Sequence, residues 1–181
     1  MRAFDLMKID AEGNPLEGDP DWDRSQRLVN TAGFLIHSAV HMARDDAHFV
    51  VHTHTRDGMA VAAQRNGPLP LSQHAMKFFG HLAYHDYEGI ALDEAERVRL
   101  VRDLSTHNAM ILRNHGIPVR GHSAAEAYDE LYYLERACSA QITAQPGGVT
   151  QFRRGGNDIA RDMVWKSAPR LVDGDKPDDR S

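Results

Sequence analysis

An α/β layered domain is the fold class this sequence predicts, and three observations point to it. Short runs rich in β-branched and aromatic residues alternate with longer stretches of helical periodicity. The chain has 181 residues, the length of a single domain. Its composition, 41% hydrophobic and 26% charged, is that of a globular protein able to bury a core, not of a collagen, a coiled coil or a disordered chain.

The same arithmetic narrows the function classes. No apolar run approaches the roughly 18 residues a spanning helix needs, and Met1–Lys8 lacks a signal-peptide apolar region, so a cytoplasmic protein without a membrane partner is expected. A net charge of −5 offers no basic stripe for a phosphate backbone, which argues against nucleic acid. The single cysteine, Cys138, excludes an internal disulfide and a thiolate cage for zinc. It is expected to pack as a small apolar residue. The unusual count is histidine, with 11 residues.

Each element has its own signal. Phe4–Ile9 alternates as a strand and stops at the turn formers of Asp10–Pro15. Glu17–Asp23 is an acidic surface loop. Phe34, Leu35, Ala39, Val40 and Ala43 recur at helical spacing, which predicts a helix over 31–44 capped by Asn30 or Thr31. His48–His54 reads as a buried strand, and Met59–Gln64 as a short alanine-rich helix ended by Asn66-Gly67-Pro68. Ser72–Leu82 carries apolar residues at helical spacing. His85 falls in a polar loop. Gly89–Leu92 resembles a strand, leading to a helix through Leu104 with Asp93 and Glu96 as a capping box. Ala109–Leu112 is a second buried strand. A long helix then runs over 123–145, with Ser123 as cap, Glu126 as its box partner, and Leu131, Leu134, Cys138 and Ile142 along one face. Ile159 to Trp165 permits one more helix, and the tail over 172–181 is too polar to offset its ordering entropy.

Chemistry concentrates in the histidines. His52 and His54 lie two apart on the predicted strand, so both side chains leave the same face. Two imidazoles alone make a weak metal site, and a third ligand is needed. His115 is the candidate, at the end of the second buried strand and followed by Gly116, which permits a tight turn or a close backbone approach. Three histidines leave coordination positions open, the mark of a catalytic rather than a closed metal site. The plainer alternative is that these rings are satisfied by carbonyls or solvent. His37 and His41 also have ligand spacing on a helix but lack the Glu of the zinc-protease motif, so packing or hydrogen bonding within the domain is expected of them.

Several ordered segments carry a family resemblance: Ala32–Ser38 (AGFLIHS), Val50–Thr55 (VVHTHT), Tyr84–Gly89 (YHDYEG) and Ile111–Gly116 (ILRNHG), with Glu126-Ala127 and Cys138 in the long helix. Through them the sequence resembles the class II aldolase/adducin family, in particular its adducin-like bacterial members, most closely over 30–145 within a domain spanning 1–171. The resemblance implies a three-layer α/β/α fold with a mixed central sheet, and a homo-oligomer, often a tetramer, with sites at subunit boundaries. It implies that His52, His54 and His115 match the histidines binding zinc or a related divalent ion. It also implies lyase or epimerase chemistry, in which the ion polarises a small hydroxy-carbonyl substrate and holds an enediolate.

The sequence departs from that pattern at two places. Gly33 stands where the sugar-phosphate aldolases carry the acid/base Glu, and Thr31 and Ala32 replace the phosphate-gripping serines. The family's longer N-terminal part, with its Gly-Asn-rich turn, has no counterpart here, so a member incomplete at its N-terminus is expected. Of the groups left to move a proton, His74 is favoured over Tyr87 and Glu88. The expectation is therefore a metal-dependent aldolase-like lyase with His74 as its catalytic candidate. The alternatives are a catalytically inactive adducin-like binding module and a purely structural metal site.

Overall fold

The sequence folds around one strand that is covered on both faces. In the computed structural model, which describes residues 8–14, 16, 30–89 and 94–147, that strand is Ala109–Leu112, every residue of it buried. The elements in chain order are α1 (Thr31–Ala43), β1 (Phe49–Thr53), α2 (Arg56–Ala62), α3 (Gln73–Met76), β2 (Leu82–His85), α4 (Glu94–Leu104), β3 (Ala109–Leu112), β4 (Ile117–Gly121) and α5 (Ala124–Ala144). The sheet order is β1-β4-β3-β2, with β2 parallel to β3 and β4 antiparallel to both its neighbours. The sheet is therefore mixed, and β1, β2 and β3 run in one direction.

Period-two alternation sends β3 into two separate cores. Met110 and Leu112 join Leu35, Ile36, Ala39 and Val40 of α1 and Leu100 and Leu104 of α4. Ala109 and Ile111 face the other way, onto Val61 and Ala62 of α2, Phe78, and Leu134 and Cys138 of α5. Helices thus cover both faces, the three-layer α/β/α arrangement expected from the sequence.

The caps explain where helices begin. Asn30 accepts from the Gly33 N–H to start α1 (3.1 Å), and Ser123 accepts from the Glu126 N–H to start α5 (3.1 Å). Glu126 reaches back one residue further than a capping box, to the N–H of His122 at 2.9 Å. The Asp10 turn forms as expected: its carboxylate accepts from the N–H groups of Glu12 and Asn14, and Gly13 takes φ +84°. Ile9 makes an isolated bridge, while the rest of that expected strand, the Glu17–Asp23 loop, most of Gly89–Leu92 and everything from 148 onward lie outside the described residues.

Several expectations need correction. The strand expected to be buried over His48–His54 forms as β1 but is only half-buried, with Phe49 exposed. The short helix starts earlier, at Arg56, because Thr55 accepts from the Gly58 N–H and caps it. The helix expected over 72–82 closes at Met76. Beyond it, the N–H groups of Phe78 and Phe79 bond three residues back, and Gly80 at φ +76° turns the chain into β2. His85 ends that strand, 4% exposed, with Nδ1 2.8 Å from Asp103 Oδ2, so it is a buried connection and not a polar-loop residue. Finally, β4 lies where the sequence suggested only a link, because Pro118 and Gly121 disguise it. Pro118 has no N–H to give, and the pairs joining β3 to β4 lie to either side of it, Ala109↔Val119 and Leu112↔Gly116.

Ile111 is fully buried at the centre of the second core. Its replacement by Ala is expected to cost about 2–5 kcal/mol of folding stability in urea denaturation. A loss below about 1 kcal/mol would contradict a strand packed on both faces.

Candidate metal centre

The strand directions decide where chemistry can gather. Because β1 and β3 run the same way, the C-terminal end of β1 lies at the edge of the sheet where β3 turns into β4. β1 ends in His52-Thr53-His54, and residues 113–115 form the turn, with Asn114 at φ +56°. His115 is thus a turn residue rather than the last residue of a strand. The turn is pinned from three sides. The Leu112 N–H bonds Gly116 O at 3.0 Å, the Arg113 N–H bonds His85 O at 2.8 Å, and the Asn114 N–H bonds Ala62 O at 3.1 Å.

These constraints bring the three expected histidines together. The ring centroids of His52 and His54 are 4.6 Å apart, those of His54 and His115 4.7 Å, and those of His52 and His115 5.0 Å. Nε2 of His52 lies 2.8 Å from Nε2 of His54, and one nitrogen from each ring falls within 4.8 Å of the others. His54 is exposed and the other two are half-buried, so the cluster is open on one side.

Gly116 makes this closure possible. A Cβ there would sit 2.5 Å from Thr53 O, 2.9 Å from the His54 ring and 3.1 Å from the His52 ring. The backbone after His115 therefore occupies space that any side chain would need, and the rings converge over it. The donor set also suits a divalent cation: three imidazole nitrogens, with no thiolate and no carboxylate among them.

Charge works in the same direction. Burial pushes the His52 pKa down to about 4, helped by repulsion from His115, His54 and, more weakly, His37. Burial and His54 also lower that of His115. Both rings are neutral at pH 7, with lone pairs available for coordination.

The other candidates fall elsewhere. His74 lies on α3 with its ring 5.3 Å from that of Tyr133, in a cleft of about 730 Å³ that also exposes Lys77, His81, His107 and Glu130. His81 and His107 precede β2 and β3, so this cleft is at the end of the sheet opposite the three histidines. Tyr87 and Glu88 follow β2, which puts them at the same end of the sheet as the three histidines but beyond its opposite edge strand, and Glu88 pairs with Arg99. His41 bonds Ala47 O at 2.6 Å, as expected of a packing residue. His37, on the same helix, is close enough to His52 to affect it, which the sequence reading does not include. Nor does that reading include Glu135, whose carboxylate meets Thr53 and Thr55 beneath the strand end that carries His52 and His54. It lies about 80 residues away, with no local motif to mark it. Cys138 is fully buried, and burial with nearby Glu135 and Asp57 pushes its thiol up to about 12, so it is inert.

Residues 1–142 match the family model described as "Class II Aldolase and Adducin N-terminal domain". The chain belongs to that family. An aldolase II superfamily protein from Pseudomonas syringae is similar in structure, with 45% identity, a TM-score of 0.81, and coverage of 91% of this chain and 64% of that one. The L-fuculose 1-phosphate aldolase from Glaciozyma antarctica is similar at 27% identity and TM-score 0.71, covering 88% of this chain and 59% of that one. Alpha-adducin from Rattus norvegicus is 40% identical over 149 residues, which are 81% of this chain and 20% of that protein. The chain spans 53% and 61% of the length of the curated bacterial relatives it matches. The membership accounts for the three-layer fold, and among the described residues no helix is long and apolar enough to cross a membrane.

Two outcomes follow. Gly116→Ala is expected to lower affinity for Zn²⁺ at least tenfold in chelator competition, because its methyl meets the Thr53 carbonyl; unchanged affinity would separate the glycine from the cluster. In the metal-free protein, His52 binds its proton only near pH 4, whereas an unfolded histidine binds one near 6.5. The unfolded chain thus holds more protons between those values, and stability falls as pH drops through that window. Melting temperatures measured from pH 7 to 4 should show the fall, and His52→Gln should flatten it.

Proposed function

We propose that this chain is a metal-dependent lyase of the aldolase kind, or an epimerase-like relative, acting on a small hydroxy-carbonyl or sugar-type substrate. The observation that carries the proposal is the convergence of His52, His54 and His115 over Gly116, with His54 exposed to solvent. These three residues would hold a divalent cation, by preference zinc, which would supply Lewis-acid stabilisation of the charge developing in such a reaction.

The chain's own groups do the rest. The depressed pKa values of His52 and His115 keep their lone pairs available at neutral pH. His54, the exposed ring, borders the opening through which a substrate enters. Proton transfer is the step with the fewest groups to serve it. Gly33 lies one helical turn before His37 on α1, and a Cβ there would meet nothing closer than the Asn30 side chain at 3.6 Å. A Cβ is therefore tolerated there, and the glycine leaves that turn without a carboxylate. His74 remains our choice for the proton-transfer group. It lies at the far end of the sheet from the histidine cluster of its own chain, so in this reading it serves the site of a second copy in a homo-oligomer, for which a tetramer is our choice. We place the assembly in the cytoplasm.

A second reading rests on a specific observation, the 40% identity to alpha-adducin together with Gly33. In it the fold and its metal persist as a binding or assembly module without turnover.

Metal analysis of the purified protein tests the first step: about one zinc-type ion per chain is expected, and His54→Ala should lose most of it. Metal content unchanged by that substitution would overturn the enzyme proposal. With metal present, a panel of hydroxy-aldehydes, hydroxy-ketones and their phosphates is expected to include one cleaved or epimerised in a chelator-sensitive way. Inactivity across the panel would favour the binding module.

A further inference from the structure

We infer that Glu135 is a positioning residue for the histidine cluster, acting through the hydroxyls of Thr53 and Thr55 on either side of His54. The inference rests on the metal reading above and adds a residue to it. Its basis is the alternation of β1 and its continuation: His52 and His54 leave on one side, and Thr53 and Thr55 on the other. Glu135 comes up from α5 to meet both threonines. Thr53 Oγ1 donates to Oε1 at 2.9 Å, and Thr55 Oγ1 lies 2.8 Å from Oε1 and 2.6 Å from Oε2. All three lie within the normal range for O–H···O hydrogen bonds, so one carboxylate holds both hydroxyls.

The geometry explains what such a clamp would achieve. His54 is the exposed member of the cluster, so packing alone leaves its orientation loosely held. Its backbone sits between two residues tied to one carboxylate, and that carboxylate stands on a 21-residue helix whose neighbouring Leu134 and Cys138 are fully buried. Thr55 is tied a second time, accepting from the Gly58 N–H as the cap of α2 at 3.2 Å. The strand end is therefore fastened to α5 and α2 together, and the imidazoles inherit that rigidity. Metal ligands generally need such outer support, and its loss typically costs 10–100-fold in affinity. Here the support reaches the ligands through the backbone rather than through a hydrogen bond to the ring.

The test uses the full chain with Zn²⁺ in chelator competition, Co²⁺ absorption as a report on ligand geometry, and amide hydrogen exchange over 52–58 in the metal-free protein. Glu135→Ala is expected to weaken Zn²⁺ binding about 10–100-fold, alter the Co²⁺ spectrum and speed exchange at those amides. Glu135→Gln keeps an acceptor oxygen and should stay within about threefold of the parent in affinity. Leu131→Ala, a packing change on the same helix, should lower the melting temperature and leave the Co²⁺ spectrum unchanged. Thr53→Val removes one arm and is expected to give a smaller loss, which keeps the inference testable if Glu135→Ala does not fold. Parent-like Zn²⁺ binding or parent-like exchange in folded Glu135→Ala would overturn it while the metal reading stands. A parent protein that binds neither Zn²⁺ nor Co²⁺ would overturn the metal reading, and this inference with it.

Discussion

The approach of the Gly116 backbone to the Thr53 carbonyl is the constraint on which the site depends. It is a contact between the start of β4 and the end of β1, and it exists only because residue 116 has no side chain. The β1–β4 ladder sets its register, pairing Thr53 with Ile117 and His52 with Pro118. The three-residue turn before Gly116 then has little freedom, since its N–H groups are committed to Leu112, His85 and Ala62. A sheet packed on both faces cannot slide to relieve the closeness. His115 is consequently delivered to the other two rings by the fold, not by local sequence.

This explains which parts of the architecture were legible in the sequence. Helices α1 and α5 announce themselves by apolar periodicity and by Asn30 and Ser123 as caps, and β3 by an unbroken apolar run that has a covering layer on each face. The strand β4 does not, because Pro118 and Arg120 interrupt any strand pattern. Arg120 is tolerated in the interior, 6% exposed, since it is paired with Asp46 and hydrogen-bonded to Asn108. β2 is hidden for a related reason. Its His85 looks like a loop residue until Asp103, 18 positions later, supplies a buried partner. Both failures come from polar residues whose partners are distant in sequence.

The site divides along the same line. His52 and His54 can be paired from period two alone. That His115 joins them depends on β1 and β3 running in the same direction, which the residues do not reveal without β4 between them. His74 illustrates the converse. It has the chemistry of a proton carrier, yet the chain places it with Lys77, Glu130 and Tyr133 at the other end of the sheet. Residue type suggests chemistry, and strand direction decides which candidates of one chain can meet.

The donor set bears on what the site favours. Three imidazoles contribute no negative charge, so a divalent cation held by them would keep its full charge to act on a guest. Burial keeps His52 unprotonated, which removes the competing positive charge that would otherwise repel the cation. Glu135 lies close by, but its oxygens meet the threonine hydroxyls on the opposite side of the strand, so it stands apart from the three rings. A carboxylate among the ligands would weaken the pull on a carbonyl. With the Glu135 carboxylate on the far side of β1, the proposed centre would be suited to stabilising an anion that forms on the guest, and this separation of charge, more than metal-binding capacity alone, is what leads us to propose carbonyl chemistry over a purely structural ion.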